Sequence, residues 1–97
     1  MKRNLQQIER IENKYNLLVF RMSITHLFDV GVRNFTETNV NEWLKQIEIQ
    51  SQKDAENGIE RIMITADVER AIIKCCSELA KISILDLLRY VKLYVNC

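Results

Sequence analysis

Proline is absent from this 97-residue chain, and there are only two glycines, Gly31 and Gly58. Both are strong breakers of regular structure, so their scarcity favours a few long helices joined by short loops. Both glycines stand where helical patterns stop. Cysteine is scarce as well. Cys75, Cys76 and Cys97 make an odd count with no disulfide-framework spacing, which reads as free thiols in a reducing compartment. One histidine, His26, leaves little room for imidazole catalysis, which needs a neighbouring nucleophile and an orienting acid. No C-x₂-C stands in the chain, and adjacent cysteines on a helix point about 100° apart. The Cys₃His inventory therefore does not read as zinc, and no cofactor motif is found. Long apolar runs are also missing: Leu17–Phe20 is typical and far too short to cross a bilayer.

What remains is an ordinary globular balance, 47% apolar and 28% charged, in a length that fits one domain over 1–97. The net charge of +1 hides a layout. Residues 1–28 carry five basic against two acidic groups, residues 29–69 four against nine, and residues 70–97 five against two. Basic ends flank an acidic middle. The opening MKRNLQQIERIENK lacks the apolar region of a secretory signal, and Glu9 and Glu12 are foreign to a mitochondrial presequence. Intracellular residence, in cytoplasm or nucleus, is the expectation.

Ile8, Ile11, Tyr15, Leu18 and Met22 recur at alternating spacings of three and four, which predicts a first helix over about 4–30 with a coiled-coil-like stripe. A second stripe, Leu17, Phe20, Ile24 and Leu27, makes its latter half core on two sides. Its first half would lie along a neighbour or zip onto a partner. Gly31 is a natural stop. Gly31 to Thr38 reads as a loop. Asn39 with Glu42 then suggests a capping-box start for a short second helix with Val40, Trp43, Leu44 and Ile47 on one face. The polar stretch 48–57, EIQSQKDAEN, fits either a solvated extension ending at Gly58 or a mobile loop. Residues 59–64, IERIMI, fit a helical turn or a short strand.

Thr65 before Ala66-Asp67 predicts an N-cap and a third helix over about 66–81. Val68, Ala71, Ile72, Cys75, Cys76, Leu79 and Ile82 share its inner face. After Ile82 the apolar stripe jumps by more than about 90°. Ser83 with Asp86 marks a new start there, predicting a fourth helix over about 84–95. The fold class expected is all-α, three or four helices in a small bundle.

Two short stretches resemble known families. IMITADVERAI, residues 62–72, resembles the loop-to-third-helix entry of histone-fold proteins, where a capped threonine precedes an acidic-start helix. That fold would put a long central helix directly before it, where the polar 48–58 segment stands. SELAKISILDLLRYV, residues 77–91, is similar to a helix-turn-helix but lacks the glycine common in that turn. Neither assigns a family.

The function expected is a non-enzymatic protein–protein interaction module, part of a larger intracellular complex or a homodimer, with no small-molecule substrate and no membrane partner. Its partner-binding residues would be Ile8, Ile11, Tyr15 and Leu18, with Trp43 as an interface-type aromatic. The alternative is nucleic-acid binding. Arg3, Arg10, Lys14 and Arg21 line the first helix and Arg70, Lys74 and Lys81 the third, as phosphate contact requires. His26 reads as a core histidine bonded to a carbonyl.

Overall fold

The computed structural model describes residues 2–58 and 64–95. Among these the chain is all-α, with five α-helices: α1 (Lys2–Lys14), α2 (Leu17–Val30), α3 (Glu37–Glu56), α4 (Ala66–Leu79) and α5 (Ile84–Val95). A single 3₁₀ turn over Val32–Asn34 links α2 to α3. The most extensive packing is between α2 and α4. α1 lies against α5 and α4, and α3 leans on α4. All five helices contribute to one core, including Ile8, Leu27, Val40, Ile72, Leu79 and Leu87.

The first expectation needs correction. The 4–30 segment is two helices, not one long coiled-coil-like one. Asn16 leaves the helix with an extended backbone (φ −73°, ψ 162°), and its side chain accepts the Val19 N–H at 2.9 Å. That satisfies one of the four amides a helix start leaves open. Folding back at this point lets α1 spend its stripe inside the chain: Ile8 is fully buried, and Ile11 and Tyr15 pack half-buried on the core. The stripe carries no signal of this, because its period runs through residues 15 and 16 unchanged.

Gly31 ends α2 as expected. Its φ of 85° suits a residue without a Cβ, and its N–H donates to the Leu27 carbonyl at 2.7 Å. The next helix begins earlier than Asn39. Thr36 is the cap, accepting the Asn39 N–H at 3.1 Å, while the Asn39 side chain donates back to the Asn34 carbonyl at 2.9 Å. Of the two readings of the polar stretch, the helical extension is the observed one, carrying α3 to Glu56 before Gly58 turns at φ 79°. Residues 59–63 lie outside the described residues, so the helix-or-strand question there falls outside them too.

Thr65 caps α4, accepting the Val68 N–H at 3.3 Å, with Asp67 and Glu69 in the favourable first turn. The helix closes two residues short of the expected end in a tighter turn, Ile82 N–H to the Leu79 carbonyl at 3.0 Å. The break before α5 is where the stripe shift placed it. Ser83 Oγ accepts the Asp86 N–H at 3.2 Å and donates to the Asp86 carboxylate at 2.9 Å.

Two phenols hold α1 to the bundle. Tyr15 donates to Glu78 of α4, and Tyr90 of α5 donates to Glu12, each at 2.6 Å. Lys14 adds an ion pair to Glu78 at 3.0 Å.

Candidate functional site

The second stripe of the N-terminal segment, read from sequence as core, helps to build an apolar groove on the surface. Leu17, Phe20, Ile24 and Phe28 follow one another at spacings of three and four along α2. They form one wall of a groove of about 680 Å³, and Tyr90 and Val91 of α5 form the other. Its floor is fixed by an edge-on contact between the Phe20 and Tyr90 rings, 6.0 Å between centroids at 71°. This geometry is favourable for two aromatics beyond their buried area. Leu17 stands at the rim, 54% exposed. Glu12 and Arg21 are the charged members of the lining, and Glu12 is engaged by the Tyr90 hydroxyl.

Apolar exposure is not confined to Leu17. Leu18 is 38% exposed at the same helix start, and α5 leaves Leu85, Leu88 and Leu93 exposed. Scattered leucines on a surface need no explanation; a walled groove with a leucine at its rim is the arrangement that accepts a side chain.

The structure disperses the residues that sequence singled out. Ile8 belongs to the protein's own core, so the stripe Ile8, Ile11, Tyr15, Leu18 is not a continuous outward face. Leu18 alone of the four is exposed. Trp43 is half-buried and tilts over His26, with 4.8 Å between ring centroids. It packs on the core.

The basic lines fare similarly. Arg10, Lys14 and Arg21 no longer share one helix, since the chain breaks between Lys14 and Leu17. Lys14 is paired with Glu78 and Arg70 with Asp67. Lys74 and Lys81 are exposed on α4 and just beyond it. Arg10 and Lys81 do line a common recess of about 320 Å³, which Gln7, Ile11, Glu78 and Ile82 complete. The Arg3 side chain and Cys97 lie outside the described part of the structure.

Chemically reactive groups are damped by burial. The Cys75 thiol is pushed up to about 12 and that of Cys76 to about 11, chiefly by desolvation, so neither is a thiolate near neutrality. Burial likewise lowers the His26 pKa below its ordinary 6.5, against a smaller opposing pull from Asp29. The carbonyl partner expected for this ring is not there: neither nitrogen has a hydrogen-bond partner among the described residues, though His26 is only 1% exposed. Tyr15 is raised by burial first and by Glu78 second, and Glu78 is lowered chiefly by the Tyr15 hydrogen bond. Among the described residues no cluster of His, Cys, Asp or Glu is placed to hold a metal ion, and no helix is long and apolar enough to cross a membrane.

Sequence reasoning missed Phe28, Tyr90 and Val91 as surface-forming residues. A signal for Phe28 was present, because it continues the Leu17, Phe20, Ile24 spacing by four. Tyr90 and Val91 join only through the packing of α5 on α1 and α2, which no local pattern encodes. No protein-family model, curated protein or solved structure matches the chain.

Proposed function

We propose that this chain is a non-enzymatic protein-interaction module, a small helical subunit of a larger intracellular assembly, and that it docks its partner in the groove between α2 and α5. The groove itself carries the reading: an open apolar slot of about 680 Å³ between two helices, with Leu17 standing in water at its rim. Such a slot suits an amphipathic helix presenting apolar anchors at spacings of three, four and seven. Charge favours an acidic polar face on that helix. Glu12 is half-buried and accepts from Tyr90, whereas Arg21 of the lining is exposed, and α5 adds the exposed Lys92. Complementary charge of this kind steers encounter and sets register more than it adds affinity.

Nucleic-acid binding is the alternative. It has to work with basic groups that two separate helices, a Glu78 pair and an Asp67 pair divide among themselves.

Capture from cell extract, with and without nuclease, tests the choice, using the natural chain and a Leu17→Asp/Val91→Asp variant. Both positions are exposed or half-buried, so the variant should keep its helical circular dichroism. Expected is a protein partner that survives nuclease and is lost with the variant. Loss of every partner on digestion favours the alternative, and undiminished capture by the variant removes the groove from the proposal. In direct titration we expect no DNA or RNA affinity tighter than about 10 μM at physiological salt, weaker than ordinary specific binding.

A further inference from the structure

We infer that α1 is an exchangeable arm: two copies of this chain trade α1 by straightening the Tyr15–Asn16 junction, each arm docking on α4 and α5 of the other copy. The exchange involves Leu17, Glu12 and Tyr90 of the groove described above.

Three observations meet at the junction. First, the turn has no residue that compels it. Neither Tyr15 nor Asn16 is glycine or proline, and no described non-glycine residue has a positive φ. Helical bonding already runs through Tyr15, whose N–H donates to the Ile11 carbonyl at 3.2 Å. It resumes with Phe20 donating to Asn16 at 3.0 Å. Straightening closes the backbone bonds that two abutting helix ends leave open. Second, Ile8, Ile11, Tyr15, Leu18 and Met22 stay in phase across the break, so one uninterrupted helix of about 43 Å keeps a single apolar stripe. Third, α1 is held in place by contacts to other helices rather than by the turn. Ile8 is buried in the core, Tyr15 and Lys14 bind Glu78, and Tyr90 binds Glu12. An arm from a second copy satisfies every one of these identically, which makes exchange a low-cost route to a dimer.

The folded-back form leaves a sign of what the exchanged form covers. Leu17 and Leu18, 54% and 38% exposed, sit directly after the turn. Two straightened helices leave their protomers side by side at this point, and the leucines become the apolar contact between them. A two-residue connection between packed helices is also the short hinge that invites swapping.

Energy transfer between different chains tests the inference. Gln7 and Lys81 line the same recess from α1 and from the end of α4. A donor goes on a Gln7→Cys chain and an acceptor on a Lys81→Cys chain, both with Cys97→Ser, and the two are refolded together at high micromolar concentration. Cys75 and Cys76 are buried and stay unlabelled. Expected is transfer between chains in a species of dimer mass. Asn16→Ala removes the cap that stabilises the folded-back form. With two junctions per dimer, it should lower the dissociation constant about tenfold or more. Two glycines inserted between Tyr15 and Asn16 let each arm return to its own chain and should abolish transfer. A monomer in both the natural chain and Asn16→Ala overturns the inference, as does a dimer without transfer between chains. Should Asn16→Ala lose its helicity, the remaining pair decides. Transfer in the natural chain and none after insertion supports exchange; equal transfer in both, or none in either, overturns it.

Discussion

The chain turns sharply between helices at two places that look alike in structure and unlike in sequence. Before α2, Asn16 caps the Val19 amide; before α5, Ser83 caps that of Asp86. At the second place the apolar stripe jumps around the axis by more than about 90°, because α4 and α5 present different faces to a shared core. At the first the stripe passes straight through, because α1 and α2 would present the same face if they were continuous. A shift of phase therefore demands a break, whereas an unbroken phase permits one. The second turn is written into the pattern; the first is decided by which surface α1 finds.

The sharpest way to expose that difference is to cut the stripe on either side of the first turn. Ile8→Ala should cost about 2–5 kcal/mol, the range for emptying a buried aliphatic site. Leu18→Ala, the same stripe one step past the turn and 38% exposed, should stay within about 0.5 kcal/mol. Urea unfolding followed by circular dichroism measures both. Equal costs would mean that α1 does not fold back.

Removing the caps compares the turns directly. Ser83→Ala should lose about 0.5–2 kcal/mol, as cap deletions do, because the stripe forbids a straight helix there. Ser77→Ala, exposed on α4, should be near neutral. Asn16→Ala should lose less than Ser83→Ala, since the helix can run on through alanine. Thermal melts at one protein concentration rank the three, and a larger loss at Asn16 would reverse the account of the two turns.

Smaller again are the pins that decide the first turn. Tyr15→Phe and Tyr90→Phe each remove a phenol donating to a carboxylate and should cost about 1 kcal/mol apiece. Both losses should fall on α1, read as faster amide exchange there than in α4. Uniform loosening would place the pins elsewhere.

Acid gives the finest comparison. A histidine whose folded pKa is depressed takes up its proton more readily in the unfolded chain. Stability therefore falls as pH drops below the ordinary 6.5 and is unaffected above it. Glu78, also depressed in the fold, withdraws its contribution only below its ordinary 4.5, as its unfolded form begins to protonate. Acid should thus weaken the core around His26 and Trp43 before it weakens the Tyr15 pin. His26→Phe should flatten the first phase of a stability-against-pH curve and spare the second. A first phase that survives the substitution would assign it to another group.

Much of the fold was legible where side chains act on their own backbone. Thr65, Ser83 and Gly31 each mark a boundary by a bond or a φ angle that depends on no distant residue, and each was readable. The start of α3 slipped by three residues because Thr36 and Asn39 both qualify as caps and the structure uses Thr36 for the amide and Asn39 for the Asn34 carbonyl. The candidate site was far less legible. Whether Ile8 is covered by a partner or by its own chain depends on a Glu78 some seventy residues away, and the groove exists only because Tyr90 and Phe20 meet. His26 shows the converse failure: its burial was foreseen, its lack of a hydrogen-bond partner was not.

One feature of α3 bears on how the molecule comes apart. Val40 and Leu44 anchor its first half, but Glu48, Ile49, Gln50, Lys53 and Glu56 are exposed, Ile49 by 55%. A helix of 20 residues spans about 30 Å, so its distal half runs well past these anchors, with the side chains just named lying in solvent. Short unsupported helix is marginal in water. The molecule should therefore fray from Glu56 inward long before it unfolds. Its amides would exchange in a gradient along one helix, and a protease given time would cut first near Lys53, leaving Trp43 and everything it packs against intact.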